Sequence, residues 1–443
     1  MEGAQSVATL PRAGSRRRSV PAFKWVRDRV ATTPGRLTLI AALVVFGALC
    51  CGLVATFAER SRAHAANAAQ SQTEPLLAQT VKLYTGLSDA NATVSTALLA
   101  GGLEPPQKRA RYELDLRAAS SALTTLTREA DTSPVARNAL AVISQALPVY
   151  TGLVESARAN NRQGFPIGAA YLRQASALLT GTMLPATDRL YATEASRLGD
   201  DYGTGTASGA LVAFLAAIVI SLALLLVAQR YVARVSRRTF NLPMVAATVV
   251  LLALAIWGTV GLVNEQSALG SARRDGSDPV EVLSATRVLV SRAQSDQSLA
   301  LVNRGSDASD PLDLAAVMQR LSGTDGLAAE ASALARRTGT TAGASRLAGD
   351  FAAYRARTAH ITSLQTGGHI SNAIAAAPTA SAASDQLGTN LSDQIRAAQG
   401  RFTRSAADAT SSLAGLSVAI PLLIALAAVL ALVGLRQRIN EYR

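Results

Sequence analysis

Three histidines, His64, His360 and His369, and two adjoining cysteines, Cys50 and Cys51, are the residues here that most often ligate metals, move protons or attack carbonyls. No histidine has a cysteine or second histidine at metal-ligand spacing. The chain has neither a Walker-type glycine loop to cradle phosphates nor a G-x-S-x-G nucleophile elbow. The expectation is a protein without catalytic activity, cofactor or metal. Asn91, spaced with Ser88 and Ser95 along one helix, is read either as an amide facing a ligand cavity or as a satisfied interior amide.

Recognition chemistry is better represented. The stretch ANNRQGFPIGAAYLRQAS, residues 159–176, interrupts a helical pattern with Gly-Phe-Pro-Ile-Gly. Arg162, Gln163, Phe165, Pro166 and Tyr171 combine the guanidinium and aromatic groups that anchor protein interfaces. Alternatively, Phe165 and Pro166 fold back to plug a helix-bundle end while the glycines permit the turn. Gly101 and Gly102, and Gly367, Gly368 and His369, mark the other loops expected at the same end, so all these residues are candidate docking positions. A second candidate surface is basic: Arg230, Arg234, Arg237 and Arg238, with Tyr442 and Arg443. Ser19, Ser236 and Thr239 stand beside arginines, as basic-directed kinases accept, although the arginines have a simpler use in setting orientation.

The elements that position these residues begin with four apolar stretches free of charge, 37–57, 209–228, 243–263 and 415–435. About 20 apolar residues cross a bilayer as a helix. Leu49 occupies the place where a lipoprotein signal needs a small residue before Cys50, so the first stretch is read as an uncleaved anchor. No Asp, Glu, Lys, Arg or His interrupts the four stretches, which leaves a proton or ion pathway without polar stations.

The formal net charge of +13 resembles a nucleic-acid signal until it is mapped. Residues 58–208 carry fourteen basic and thirteen acidic side chains, and residues 264–414 carry fourteen of each. The excess lies in the segment 1–36, the loop 229–242 and the tail 436–443. By the positive-inside rule those pieces are cytoplasmic and touch anionic lipid, with both termini inside and 58–208 and 264–414 extracytoplasmic. A nucleic-acid partner is not expected of two nearly neutral domains. Neither domain contains cysteine, so both must fold on their cores alone.

The two halves keep step. Glu59 and Ser61 are matched by Glu265 and Ser267, Tyr150 and Gly164 by Tyr354 and Gly368, and the apolar stretch at Gly209 by that at Gly415, at offsets of 204 to 206. The inference is a tandem duplication. The expected fold class is an all-α membrane protein: four transmembrane helices and two extracytoplasmic four-helix bundles, each up-down-up-down. Steps of four and three run through Tyr112, Leu116, Ala119, Leu123 and Leu126, and through Val135, Ala139, Val142, Ala146, Val149 and Leu153. They recur at Leu314, Val317, Leu321, Thr324 and Ala328, and at Leu347, Phe351, Tyr354, Thr358 and Ile361. Such stepping marks packed helical seams. Ser133-Pro134 and Asp310-Pro311 are expected helix starts, and Gly101-Gly102, Gly164 to Gly168 and Gly367-Gly368 expected breaks. Gly47, Ala48, Cys51 and Gly52 give the first span faces for close helix contact, and Pro421 removes a donor in the last span.

Paired outer domains with almost no inner mass suggest a relay. The duplicated four-span layout, ARANNRQGFPIGAAYLRQAS (157–176), MLPATDRLY (183–191) and the terminal NEYR (440–443) resemble the actinobacterial GlnX family. The layout covers nearly the whole chain, and 157–176 is its most specific part. The resemblance implies a protein that passes amino-acid availability, sensed by a glutamine-binding-protein-like solute-binding lipoprotein, to a cytosolic Ser/Thr protein kinase. It supplies no residue-level binding site. Two other readings stay open: a direct small-molecule chemosensor of the four-helix type, and a passive envelope scaffold. Homo-oligomerisation is open as well.

Overall fold

A computed structural model describes residues 33–99, 103–129, 133–206, 208–236, 241–302, 309–323, 326–338, 341–413 and 415–440. These residues are nearly all helical, with no strand among them. In chain order the helices are α1 (Thr33–Ala68), α2 (Glu74–Leu99), α3 (Pro106–Glu129), α4 (Pro134–Arg162), α5 (Ile167–Leu178), α6 (Leu184–Thr206), α7 (Ser208–Ser236), α8 (Leu242–Ala272), α9 (Asp278–Val302), α10 (Ser309–Ser322), α11 (Leu327–Thr338), α12 (Thr341–Thr366), α13 (Ile370–Leu413) and α14 (Leu416–Asn440). Short π-helical turns at Ala69–Thr73, Leu179–Met183 and Arg273–Ser277 join α1 to α2, α5 to α6 and α8 to α9.

The chain forms two compact units. The first takes the described residues up to Phe57, then Ala210–Thr259, and those from Ser417 onward. Four helical stretches are long and apolar enough to cross a membrane: Thr38–Ala65, Leu211–Arg234, Leu242–Val302 and Val418–Gln437. Their outward side chains include Phe46, Leu53, Phe57, Val219, Trp257 and Leu422, all exposed. Apolar groups facing out while small ones face in is the arrangement lipid demands. The small residues of α1 are used on two faces. Leu224 lies 2.7 Å from where a side chain on Gly47 would begin, and Ile424 lies 3.4 Å from the same point on Gly52. Ala48 and Cys51 are buried. Polar side chains in this unit cap backbone groups: Asn241 donates to the Gly434 carbonyl at 2.9 Å, and Gln229 to Met244 at 2.9 Å and Thr248 at 2.8 Å.

The second unit, Ala58–Gly209 with Val260–Leu416, holds two large cores and smaller buried clusters. One is built from α2 to α6, including Leu83, Leu87, Leu126, Ile143, Tyr150, Leu172 and Leu190. The other is built from α9 to α13, including Leu283, Val290, Leu321, Leu347, Tyr354, Leu387 and Leu391. Residues cross the boundary: Leu299 enters the first core, Val81 and Tyr191 join the second, and a smaller cluster sets Leu77 and Leu198 against Leu269 and Phe402. The joint is the pair α2 and α9, which lie side by side and are buried on nearly all faces.

Local signals act as the residue types require. Ser133 has extended backbone and accepts from the Ala136 N–H, starting α4, with Pro134 at its first position. Gly164 (φ 73°) and Gly368 (φ 77°) close α4 and α12 in the left-handed region. At the first, Phe165 N–H bonds to Asn160 and Gly164 N–H to Asn161; at the second, His369 bonds to Leu364 and Gly368 to Gln365. Both are Schellman terminations, for which glycine is the cheapest residue.

Two seam expectations need correction. On α4 the buried face runs through Ala136, Ala139, Leu140, Ile143, Ala146, Tyr150, Val154 and Ala157, while Val135, Val142 and Val149 are exposed. The seven-residue stepping traced one edge of the apolar stripe, and the tighter Ala-rich face won the core. The seam from Leu314 to Ala328 is also not one helix. It stops at Ser322 and restarts at Leu327, with Gly323 N–H bonding to Gln319 and Gly326 N–H to Gly323. Thr324 lies outside the described residues. α10 starts at Ser309, two residues before the Pro311 start that the Asp310-Pro311 signal marks.

Candidate functional site

The loop between α4 and α5 presents Arg162, Gln163, Phe165 and Pro166 to solvent; Phe165 is 53% exposed and its neighbour Ile167 also 53%. Phe165 therefore does not plug a core. Tyr171 behaves differently: it is half-buried and packs against the first core from α5. Leu103, in the α2–α3 connection, is 83% exposed. That connection is tied to the end of α4 by Arg158, which is buried, meets Glu104 at 2.8 Å and stacks 4.2 Å over the Tyr112 ring. The matching loop of the second half exposes Gly367, Gly368 and His369, a polar tip where the first is apolar. Gly101 and Gly102 lie outside the described residues, as do Arg237, Arg238, Tyr442, Arg443, Ser19 and Thr239. Arg230 and Arg234 are exposed near the end of α7.

Asn91 resolves as an interior amide. Its Nδ2 donates to Ser176 Oγ at 2.9 Å and Ser295 Oγ at 2.7 Å, and its Oδ1 accepts from Tyr150 at 3.4 Å. It belongs to a polar ladder along the α2–α9 joint. Ser95 meets Ser295 at 3.1 Å and Thr96 meets Ser298 at 3.3 Å. Asp89 accepts from Ser291 at 2.5 Å and pairs with Arg287. Partner numbers rise together along both helices, so α2 and α9 run parallel, with contacts joining residues 198 to 204 apart. At the start of the same arrangement, Arg62 of α1 pairs with Glu265 of α8 at 3.1 Å, both essentially fully buried, near buried Glu59.

Pockets lie on both flanks of the joint. On one flank, α2 and α9 meet α3 and α13 around a space of only about 30 Å³. Its charges satisfy one another: Arg287 with Asp89, Lys108 with Asp385 at 3.2 Å, and Arg111 with Asp115 at 3.1 Å. On the other flank, α2 and α9 meet α6, α10 and α11 around a cavity of about 370 Å³. Cavities of this size accept small ligands. Tyr84, Asp188, Tyr191, Arg292 and Arg320 line it, with Glu281 and Ser284. Ser284 Oγ and Arg292 Nε are buried without a hydrogen-bond partner among the described residues. Burial, then the charge and hydrogen bond of Asp188, raise the Tyr84 phenol well above its usual range. Burial and Glu281 do the same to Tyr191. Both phenols are neutral donors at any physiological pH.

This cavity was not among the sequence candidates. Its residues come from five helices and share no local motif. The available signal was the composition of α9, where Ser284, Arg287, Ser291, Arg292, Gln294 and Ser295 make a helix too polar for an ordinary core position. Among the described residues no group of three or more His, Cys, Asp or Glu side chains is placed to hold a metal.

Residues 65–203 match the family model described as an actinobacterial sensor domain. No curated protein and no solved structure matches the chain. The match spans α2 to α6 and contains both the exposed Phe165 loop and the first-half wall of the cavity. The chain is thus similar, across the helices of its first core, to a sensor domain, and it has four helices of membrane-spanning length and apolarity.

Proposed function

We propose that the protein is a non-enzymatic transmembrane signal relay. Its outer unit is two copies of one four-helix bundle joined along α2 and α9. It answers to a solute-binding lipoprotein that reports amino-acid availability, and it hands the signal to a cytosolic Ser/Thr protein kinase or its adaptor. The basic pieces, including Arg230 and Arg234, face the cytoplasm and anionic lipid.

One observation carries the relay reading: two helices that contain membrane-length apolar stretches feed through matched π turns, 204 residues apart, into a parallel joint whose α2 side lies in the stretch with sensor similarity. A partner that prefers one arrangement of α2 against α9 thereby acts on both α1 and α8. The copy reading is supported by Asn91 meeting Ser295, also 204 residues away, as residues beside a twofold axis do. The lipoprotein and the kinase rest on the GlnX resemblance. Phe165, Ile167 and Leu103 supply an exposed apolar tip for the outer partner.

Affinity capture of the full chain from native membranes tests this. The lipoprotein is expected in the eluate, and Phe165→Asp should deplete it at least tenfold, about 1.4 kcal/mol or more. An exposed position leaves folding intact, so the thermal unfolding midpoint should not move. Capture that survives Phe165→Asp undiminished removes the tip from the argument; an eluate without any solute-binding lipoprotein removes the relay.

A further inference from the structure

We infer that the 370 Å³ cavity beside the α2–α9 joint binds a small zwitterion, a molecule carrying both a carboxylate and an ammonium group, such as a free amino acid. The inference rests on reading the second unit as sensory, but needs no lipoprotein.

Charge is the first argument. The lining offers two guanidiniums, Arg292 and Arg320, and two carboxylates, Asp188 and Glu281. Among the described residues Arg320, Asp188 and Glu281 are in no ion pair, and Arg292 has only a 3.7 Å contact with Asp296. The opposite flank has the same kind of charges, yet they neutralise each other and leave almost no space. A cavity that keeps both signs apart matches a ligand that carries both. A simple anion leaves Glu281 without a counter-charge and Asp188 with only the Tyr84 hydroxyl, and a simple cation leaves Arg320 without one.

Orphaned polar atoms are the second argument. Ser284, 3% exposed, turns an Oγ without a partner to the cavity wall, and the buried Arg292 Nε makes no hydrogen bond, its 3.7 Å contact with Asp296 being too long for one. Desolvated groups of this kind cost about 1–3 kcal/mol each until something bonds them. A ligand carboxylate accepts from both. Tyr84 and Tyr191 give aromatic surface and hydroxyls on the α2 and α6 side, where an ammonium is also served by Asp188. Because the walls come from both halves, occupancy bears directly on the α2–α9 spacing.

The test uses the purified full-length chain in detergent and the twenty common L-amino acids singly, by equilibrium dialysis and thermal unfolding. At least one is expected to bind saturably and raise the midpoint. Its α-amide, which lacks the carboxylate, and its deamino acid, which lacks the ammonium, should each bind about tenfold or more weakly. Arg292→Gln should weaken binding about ten- to hundredfold, and Ser284→Val, a smaller change that guards against misfolding, by severalfold. Lys108→Gln, on the other flank, should leave it unchanged. Absence of binding by any amino acid up to millimolar levels overturns the proposal, as does binding that Arg292→Gln and Asp188→Asn both leave intact. Capture of the lipoprotein by the unsubstituted chain is scored separately: capture without direct amino-acid binding sinks the cavity and spares the relay, and direct binding without capture does the reverse.

Discussion

Arg62 makes the second unit vulnerable to a single substitution. Its guanidinium is 1% exposed and lies 3.1 Å from Glu265, which is fully buried, with Glu59 buried nearby. Arg62→Met keeps the length and apolar stem of the side chain but leaves buried carboxylate charge uncompensated. Breaking a buried pair by removing one partner costs about 3–5 kcal/mol, whereas exchanging both partners for apolar groups is often neutral. The single variant should therefore lose about 6–15 °C in unfolding midpoint, taking the lower part of the shift per kcal/mol because the domain is large. Arg62→Met with Glu265→Leu should regain most of that loss. Far-UV circular dichroism at the helical minimum is the assay, since nearly all of the described chain is helical. A midpoint for Arg62→Met within a degree of the parent refutes the claim that this pair is sealed from water. A double variant no better than the single refutes the claim that uncompensated charge is what costs the energy.

Two further outcomes follow from buried groups. Asp115 is held at about 6, above the usual carboxylate range, first by burial and then by the charge of Asp89, with Arg111 pulling the other way. Its folded state therefore binds the proton more tightly than the unfolded chain. The associated stability is present in full below about pH 4 and is lost as pH rises through about 6; Asp115→Asn should flatten the denaturation midpoint over that window, removing at most about 3 kcal/mol of slope. Asn91→Leu should lower the unfolding free energy by about 2 kcal/mol or more, because it deprives buried Ser176, Ser295 and Tyr150 hydroxyls of a shared partner. Ser95→Ala should cost under about 1 kcal/mol, since Ser295 keeps its bond to Asn91.

What was legible in the sequence was whatever a few consecutive residues decide. Twenty apolar residues without charge have few uses besides crossing a bilayer. Ser133 before Pro134 and Gly164 after a helix are local geometry, and both act as their types require. Faces were harder. Val135, Val142 and Val149 form as regular an apolar series as Ala139 and Ala146, and only the choice of neighbours put one series inside. Gly323 and Gly326 divide a helix that the stepping through Leu314 and Leu321 had continued. The cavity was the least legible feature, since Tyr84, Asp188, Arg292 and Arg320 become neighbours only through the long-range pairing of α2 with α9.

That pairing has a property suited to signalling. Its centre is not leucine but hydroxyls and one amide: Ser95 on Ser295, Thr96 on Ser298, and Asn91 on Ser295. Apolar side chains tolerate a small slide, because contact area changes gradually. Hydrogen bonds of 2.7 to 3.3 Å do not, since moving one helix by a single residue's rise, about 1.5 Å, breaks every rung at once. Buried polar rungs of this kind select register at some cost in stability. The ladder therefore holds α2 and α9 in this one register. Replacing Asn91, Ser95 and Ser295 together by Ala and Leu should leave a folded unit whose unfolding has lost cooperativity across the joint, seen as separate transitions of the two halves in calorimetry. A single sharp transition in that triple variant refutes the ladder as the element that binds the halves into one cooperative unit.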